Sequence, residues 1–184
     1  MERVWARIAI LGLLTVLAVS CGTQASNVPG GQPNASTRPP DLFSFTSDRT
    51  DYIGEGQSKS FASPTAQFVV EPGTQRDYLQ LVVQRADEYW SIDIAAPTGH
   101  ALQVGTYENL VGPELRSSQT GVLFVYGEGR ACDRNFGSAT IKQILFDQQG
   151  RLLALQATFV QHCESADAGA FRGTLTYGRP DTAS

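Results

Sequence analysis

The sequence predicts an all-β fold: an antiparallel β-sandwich of roughly eight to ten strands with one disulfide, preceded by a signal peptide and a flexible tether. Three observations carry this. Short runs alternate apolar and polar residues with a period of two, and Gly, Pro, Asp and Asn separate them. Beyond the N-terminus no long stretch has a convincing helical period. Two cysteines, Cys132 and Cys163, stand in the part of the chain that holds the strands.

Residues 1–20 are read as a signal segment rather than as part of the fold. Arg3 and Arg7 form a basic start, and IAILGLLTVLAV is an apolar core of about a dozen residues, short of the roughly twenty that span a bilayer. The segment closes as LAVSC, which resembles the bacterial lipoprotein signal, although Ala18 stands where leucine is commoner. The resemblance implies that Cys21 is the lipid attachment site and the mature N-terminus. The alternative is an ordinary secretory peptide cleaved nearby, which leaves Cys21 a free thiol. Under the first reading the protein is exported and lipid-anchored to the cell envelope, at the outer membrane if the organism has one, because Gly22 rather than aspartate follows the cysteine. Residues 21–40 are almost wholly Gly, Pro, Ser, Thr, Asn and Gln, too poor in apolar groups to offset the entropy of ordering, and predict a disordered tether. Its expected reach is roughly 25 Å.

Residues 41–184 then form one domain. Removing Glu2, Arg3 and Arg7 leaves 12 basic and 17 acidic residues of the chain's 14 and 18, a formal charge of −5. Without a basic patch, nucleic acid is not an expected partner. The strands follow in order. AQFVVEP opens the set, and YLQLVVQ sends Leu79, Leu81 and Val83 one way and Gln80 and Gln84 the other. EYWSIDIAAP alternates Trp90, Ile92, Ile94 and Ala96 with Tyr89, Ser91 and Asp93. ALQVGTYENL, TGVLFVYG and FRGTLTYG also predict strands, and so does TIKQILF, which has some helical character but leads into a hairpin. That hairpin is FDQQGRL, with Asp147 opening a type I turn and Gly150 in the left-handed position.

The stretch RLLALQATFVQHC puts Leu153, Leu155, Ala157, Phe159, Gln161 and Cys163 on one face, and His162 on the other. The adjacent histidine and cysteine therefore cannot act on one atom or hold one metal. With Cys21 acylated, Cys132 and Cys163 are the two remaining thiols in an oxidising compartment, and a structural disulfide is the expected state. Metal and redox roles are the alternatives, though two cysteines and two separated histidines make a poor zinc set.

Three segments, YWSIDIAAPTGHALQVGTYENL, GEGRACDRNFGSATIKQILFDQQGRLLALQATFVQHCE and FRGTLTYG, resemble a group of secreted or lipid-anchored bacterial all-β domains of unknown function. The shared pattern runs YW…AAP…GTY, GxGRxC and QHCE, over roughly residues 50–178. The resemblance implies the fold and the paired cysteines, and no activity. The chain departs from the pattern at Ala139, where a bulky aromatic is usual.

No nucleophile elbow, HExxH helix, P-loop or dinucleotide fingerprint occurs. His100, in PTGHAL, is expected in a solvated turn, and no cofactor or metal is expected. The candidate recognition patch is Arg130, Asp133, Arg134, His162 and Glu164 around the cysteines, with Tyr89 as an aromatic that stacks on a sugar if exposed. The expected role is a non-catalytic binding or adaptor module for an envelope protein or glycan, with the membrane contacted through the lipid. Two rivals stand. One is a glycan hydrolase using a pair among Glu71, Asp77, Asp87, Glu88, Glu108, Asp133, Glu164 and Asp167. The other is a barrel that carries a lipid or small apolar ligand in a cavity lined by the Leu79 and Leu153 faces.

Overall fold

A computed structural model describes residues 40–178. The signal segment, the Cys21 attachment site and the tether up to residue 39 lie outside the described residues. Ten strands occur in the order β1 (Leu42–Ser47), β2 (Ser58–Ala62), β3 (Gln67–Val70), β4 (Tyr78–Arg85), β5 (Glu88–Ala95), β6 (Gly105–Leu110), β7 (Val122–Gly127), β8 (Asn135–Phe146), β9 (Leu152–Cys163) and β10 (Ala170–Gly178). They make two antiparallel sheets, ordered β2-β1-β10-β9-β8-β6 and β3-β4-β5-β7. The only regular non-strand element among the described residues is a 3₁₀ turn at Pro113–Leu115.

The alternation read from the sequence decides what faces the core. Leu79, Leu81, Val83, Trp90, Ile92 and Ile94 are buried on the four-stranded sheet, against Phe43, Phe45, Phe61, Phe159 and Phe171 of the six-stranded one. The Trp90 ring lies 4.6 Å from Phe45 and 5.6 Å from Phe171, centroid to centroid. Gly127, the cross-strand neighbour of Trp90, makes room for that ring, because a Cβ there would meet the indole and the Tyr89 carbonyl. Aromatic rings thus fill this part of the space between the two sheets. Ala139, the departure from the expected pattern, pairs with Tyr107 on one side and Phe159 on the other, and these larger side chains flank it.

Two features differ from the expectation. Strands β1 and β2 were not foreseen, and the strand expected from Ala101 begins only at Gly105. In β9 the inward phase does not start at Leu153. The pairing with β8 slips between Leu145 and Phe146, so that Leu152 and Ala154 are buried and Leu153 is half-buried. A bulge inserts one residue and reverses the alternation beyond it. From Leu155 to Cys163 the predicted faces hold. The Asp147–Gly150 hairpin forms as read, with Gly150 at φ 82° and its N–H donating to the Asp147 carbonyl.

Edge strands expose unpaired backbone groups, and the structure covers those of β7 individually. Leu123 N–H donates to the Val111 carbonyl, Gly127 N–H to the Arg130 carbonyl, and Val125 N–H to the side chain of Gln161 on β9. At the opposite margin, Lys59 of β2 pairs with Glu88 at 2.7 Å, and Arg85 donates to the Ser60 carbonyl. Both margins of the sandwich are therefore tied together.

Candidate functional site

The disulfide forms: Cys132 and Cys163 are bonded, with their Cα atoms 5.1 Å apart. Cys163 is the last residue of β9 and Cys132 precedes β8, so the bond closes the end of the sheet at which Asn135 pairs with Cys163. Glu164, at φ 69°, turns back over this end and accepts hydrogen bonds from the N–H groups of Asp133 and Arg134, at 3.0 and 3.3 Å. Its other carboxylate oxygen lies 3.7 Å from Arg134 Nε. Asp133, Arg134 and Glu164 are thus brought together, with Glu164 holding the backbone of the other two.

The remaining three candidates go elsewhere. The two-residue turn after β7 has Glu128 at φ 53° and Gly129 at φ 76°, and it directs Arg130 toward a different loop. There Arg130 donates to the Ile53 carbonyl at 3.0 Å and pairs with Glu55. His162 lies half-buried on the outer face of the six-stranded sheet, its Nδ1 2.7 Å from the Ala168 carbonyl. Tyr89 lies on the outer face of the four-stranded sheet.

On that second face the sequence reading missed two partners. In VLFVYG the residues Leu123 and Val125 point inward, so Phe124 and Tyr126 point outward on the same side as Tyr89. The Tyr126 ring is 5.2 Å from Phe124 and 6.2 Å from Tyr89. Two aromatics two residues apart in a strand were the signal that could have found them. Tyr89 is 38% exposed, and Phe124 and Tyr126 are half-buried. Burial, together with the neighbouring Tyr126 hydroxyl, pushes the Tyr89 phenol up to about 12.

Beside the rings is a buried carboxyl. Asp93 is only 4% exposed although it faces outward, and it accepts from Tyr78 Oη at 2.7 Å, Ser91 Oγ at 3.2 Å and Gln80 Nε2 at 3.4 Å. Burial holds its pKa above the ordinary carboxylate value, against the pull of those three donors. Its hydrogen-bond donors are all uncharged. Arg116, the cation that stacks on Tyr78 at 5.5 Å, is bound instead to Asp77 at 2.9 Å.

Other cations are also engaged: Lys59 and Arg85 with Glu88, Arg151 with Asp147, and Arg172 with Asp48. Among the described residues no group of three or more His, Cys, Asp and Glu side chains converges as a metal site requires, and no helix is long and apolar enough to cross a membrane. No protein-family model matches the chain, and neither a curated protein nor a solved structure matches it.

Proposed function

We propose that the protein is a non-catalytic binding module, held at the bacterial envelope by a lipid on Cys21, that recognises a glycan on the outer face of its four-stranded sheet. The observation that carries this is the contiguous group Tyr89, Tyr126 and Phe124, in which Tyr126 stands next to each of the other two. Sugar rings stack on such faces, and the Tyr89 phenol and Gln80 amide supply hydrogen bonds at the margin. The engagement of Arg116 by Asp77, and of Lys59 and Arg85 by Glu88, favours a neutral sugar over a phosphorylated or acidic one.

The hydrolase reading has less support. A glycosidase needs a second carboxyl within roughly 5–9.5 Å of the acid. The hydrogen-bond partners of Asp93 are a tyrosine, a serine and a glutamine. Of the acids weighed for that role, Glu88 is held by Lys59 and Arg85, Asp77 by Arg116, and Glu164 by two backbone N–H groups.

The test is a titration of the oxidised full chain with neutral oligosaccharide fragments of the envelope, followed by tyrosine fluorescence and by unfolding temperature. A ligand that binds the native state alone raises the midpoint with concentration. Tyr89→Ala should abolish the rise, and Glu164→Ala should leave it. If the rise survives Tyr89→Ala with the same affinity, the aromatic face is not the site.

A further inference from the structure

We propose that a cavity on the outer face of the six-stranded sheet, on the other side of the molecule from the aromatic group, binds a small molecule with an apolar body and a protonated amine. The cavity measures about 530 Å³ and is lined by Leu110, Phe136 and Val160 together with the polar groups Glu108, Ser138 and His162. A mainly apolar lining with a few convergent polar groups, in this size range, is how small-molecule sites are built.

The edge strand β6 is irregular beside it. The pairing of β6 with β8 slips between Tyr107 and Leu110, and Asn109 adopts φ 55°, a conformation unfavourable for most residues. This irregular stretch, from Glu108 to Val111, forms one wall. Bulges are frequent at sheet edges and beside ligand sites, where they re-aim side chains.

The charge pattern selects the ligand. The Ala168 carbonyl can only accept, so His162 Nδ1 carries the proton of that 2.7 Å bond, and in the neutral ring Nε2 is left as an acceptor. Glu108 adds a carboxylate, and neither Lys nor Arg lines the cavity. A smaller depression of about 370 Å³ adjoins it and shares Ser138 and Val160, and the one cation there, Arg172, is bound twice by Asp48, at 2.8 and 3.1 Å. A lining with one carboxylate and no cation fits a cationic head group and repels an acid.

The oxidised full chain, labelled for NMR at pH 8, is titrated with 2-phenylethylamine, and with phenylacetate and ethylbenzene as matched acidic and neutral probes. The amine is expected to shift the His162, Phe136 and Val160 signals saturably and to bind at least tenfold more tightly than the acid. Glu108→Gln, at an exposed position, should weaken the amine about tenfold, the size of one charge-assisted hydrogen bond. Val160→Trp should fill the cavity and remove the shifts, and Ala166→Trp at its exposed rim serves if the first variant does not fold. Tyr89→Ala should leave amine binding unchanged, which separates this site from the glycan face. Equal binding of acid and amine, binding that survives a filled cavity, or no saturable shift with any probe overturns the proposal.

Discussion

Gln161 and Val125 exchange two hydrogen bonds across the gap between the sheets: Val125 N–H donates to Gln161 Oε1 at 2.7 Å, and Gln161 Nε2 donates to the Val125 carbonyl at 2.9 Å. The side-chain amide takes the place of a neighbouring strand at the edge of β7. Gln161 is 1% exposed and also lies 3.5 Å from Cys132 Sγ, so one residue joins the two sheets and the disulfide. Gln161→Leu keeps the volume and leaves both Val125 groups buried without partners. At roughly 1–3 kcal/mol for each orphaned group, the loss of stability should be about 2–6 kcal/mol. Urea unfolding gives the size of the loss. Hydrogen exchange at the Val125 amide reports the cause, and it should accelerate far more than exchange at Ile92.

Asp93 makes stability depend on pH in the direction opposite to most carboxylates. Its folded pKa is raised above the ordinary 3.8 by burial, so the native state holds the proton more tightly than the unfolded chain. Stability is therefore lost as pH rises from 3.8 through the folded value, and the deficit persists at neutral pH. Glu88 runs the other way. Its bonds to Lys59 and then Arg85 lower its pKa below 4.5, so its contribution is present above that value and lost as pH falls through the folded one. Asp93→Asn should remove the decline on the approach to neutrality while keeping the acid-side loss. Urea midpoints at closely spaced pH values for the two proteins check this. Parallel curves would refute it.

Reducing the disulfide should lower stability by about 3–4 kcal/mol on the chain-entropy estimate for a bridge between residues 31 apart. The double substitution Cys132→Ser with Cys163→Ser should do the same. The effect should be local in its consequences for structure. Amide exchange at Asp133 and Arg134, which depend on Glu164 at that end, should rise before exchange in β4 or β5 does. If reductant leaves the unfolding midpoint in place, the β8–β9 ladder alone holds this end of the sheet.

Much of the fold was legible because burial follows a period of two wherever a strand has one wet face. The inward sets of β4 and β5 are those read from YLQLVVQ and EYWSIDIAAP. The phase at Leu153 was not legible, because a bulge depends on the partner strand's register and leaves no local mark in RLLAL. Strand β2 has a single fully buried apolar residue, Phe61, and LFSFTS abuts the tether, so neither stood out, although Phe43 and Phe45 do alternate. For the site, the separation of His162 from Cys163 followed from the strand alone. The departure of Arg130 from the disulfide did not, since it is set by the turn at Glu128. Gln161 was visible as the one polar residue in an inward row, but its partner lies 36 residues away on the other sheet. The burial of Asp93 comes likewise from side chains on other strands.

Asp41 Oδ1 accepts the N–H of Gly178 at 2.9 Å, so the first and last strands are pinned to each other where the described chain enters and leaves. Strands β1 and β10 run antiparallel from there, and β9 carries Cys163 at the far end. Both ends of the described chain therefore lie at one pole of the domain, and the Glu164 end lies at the other.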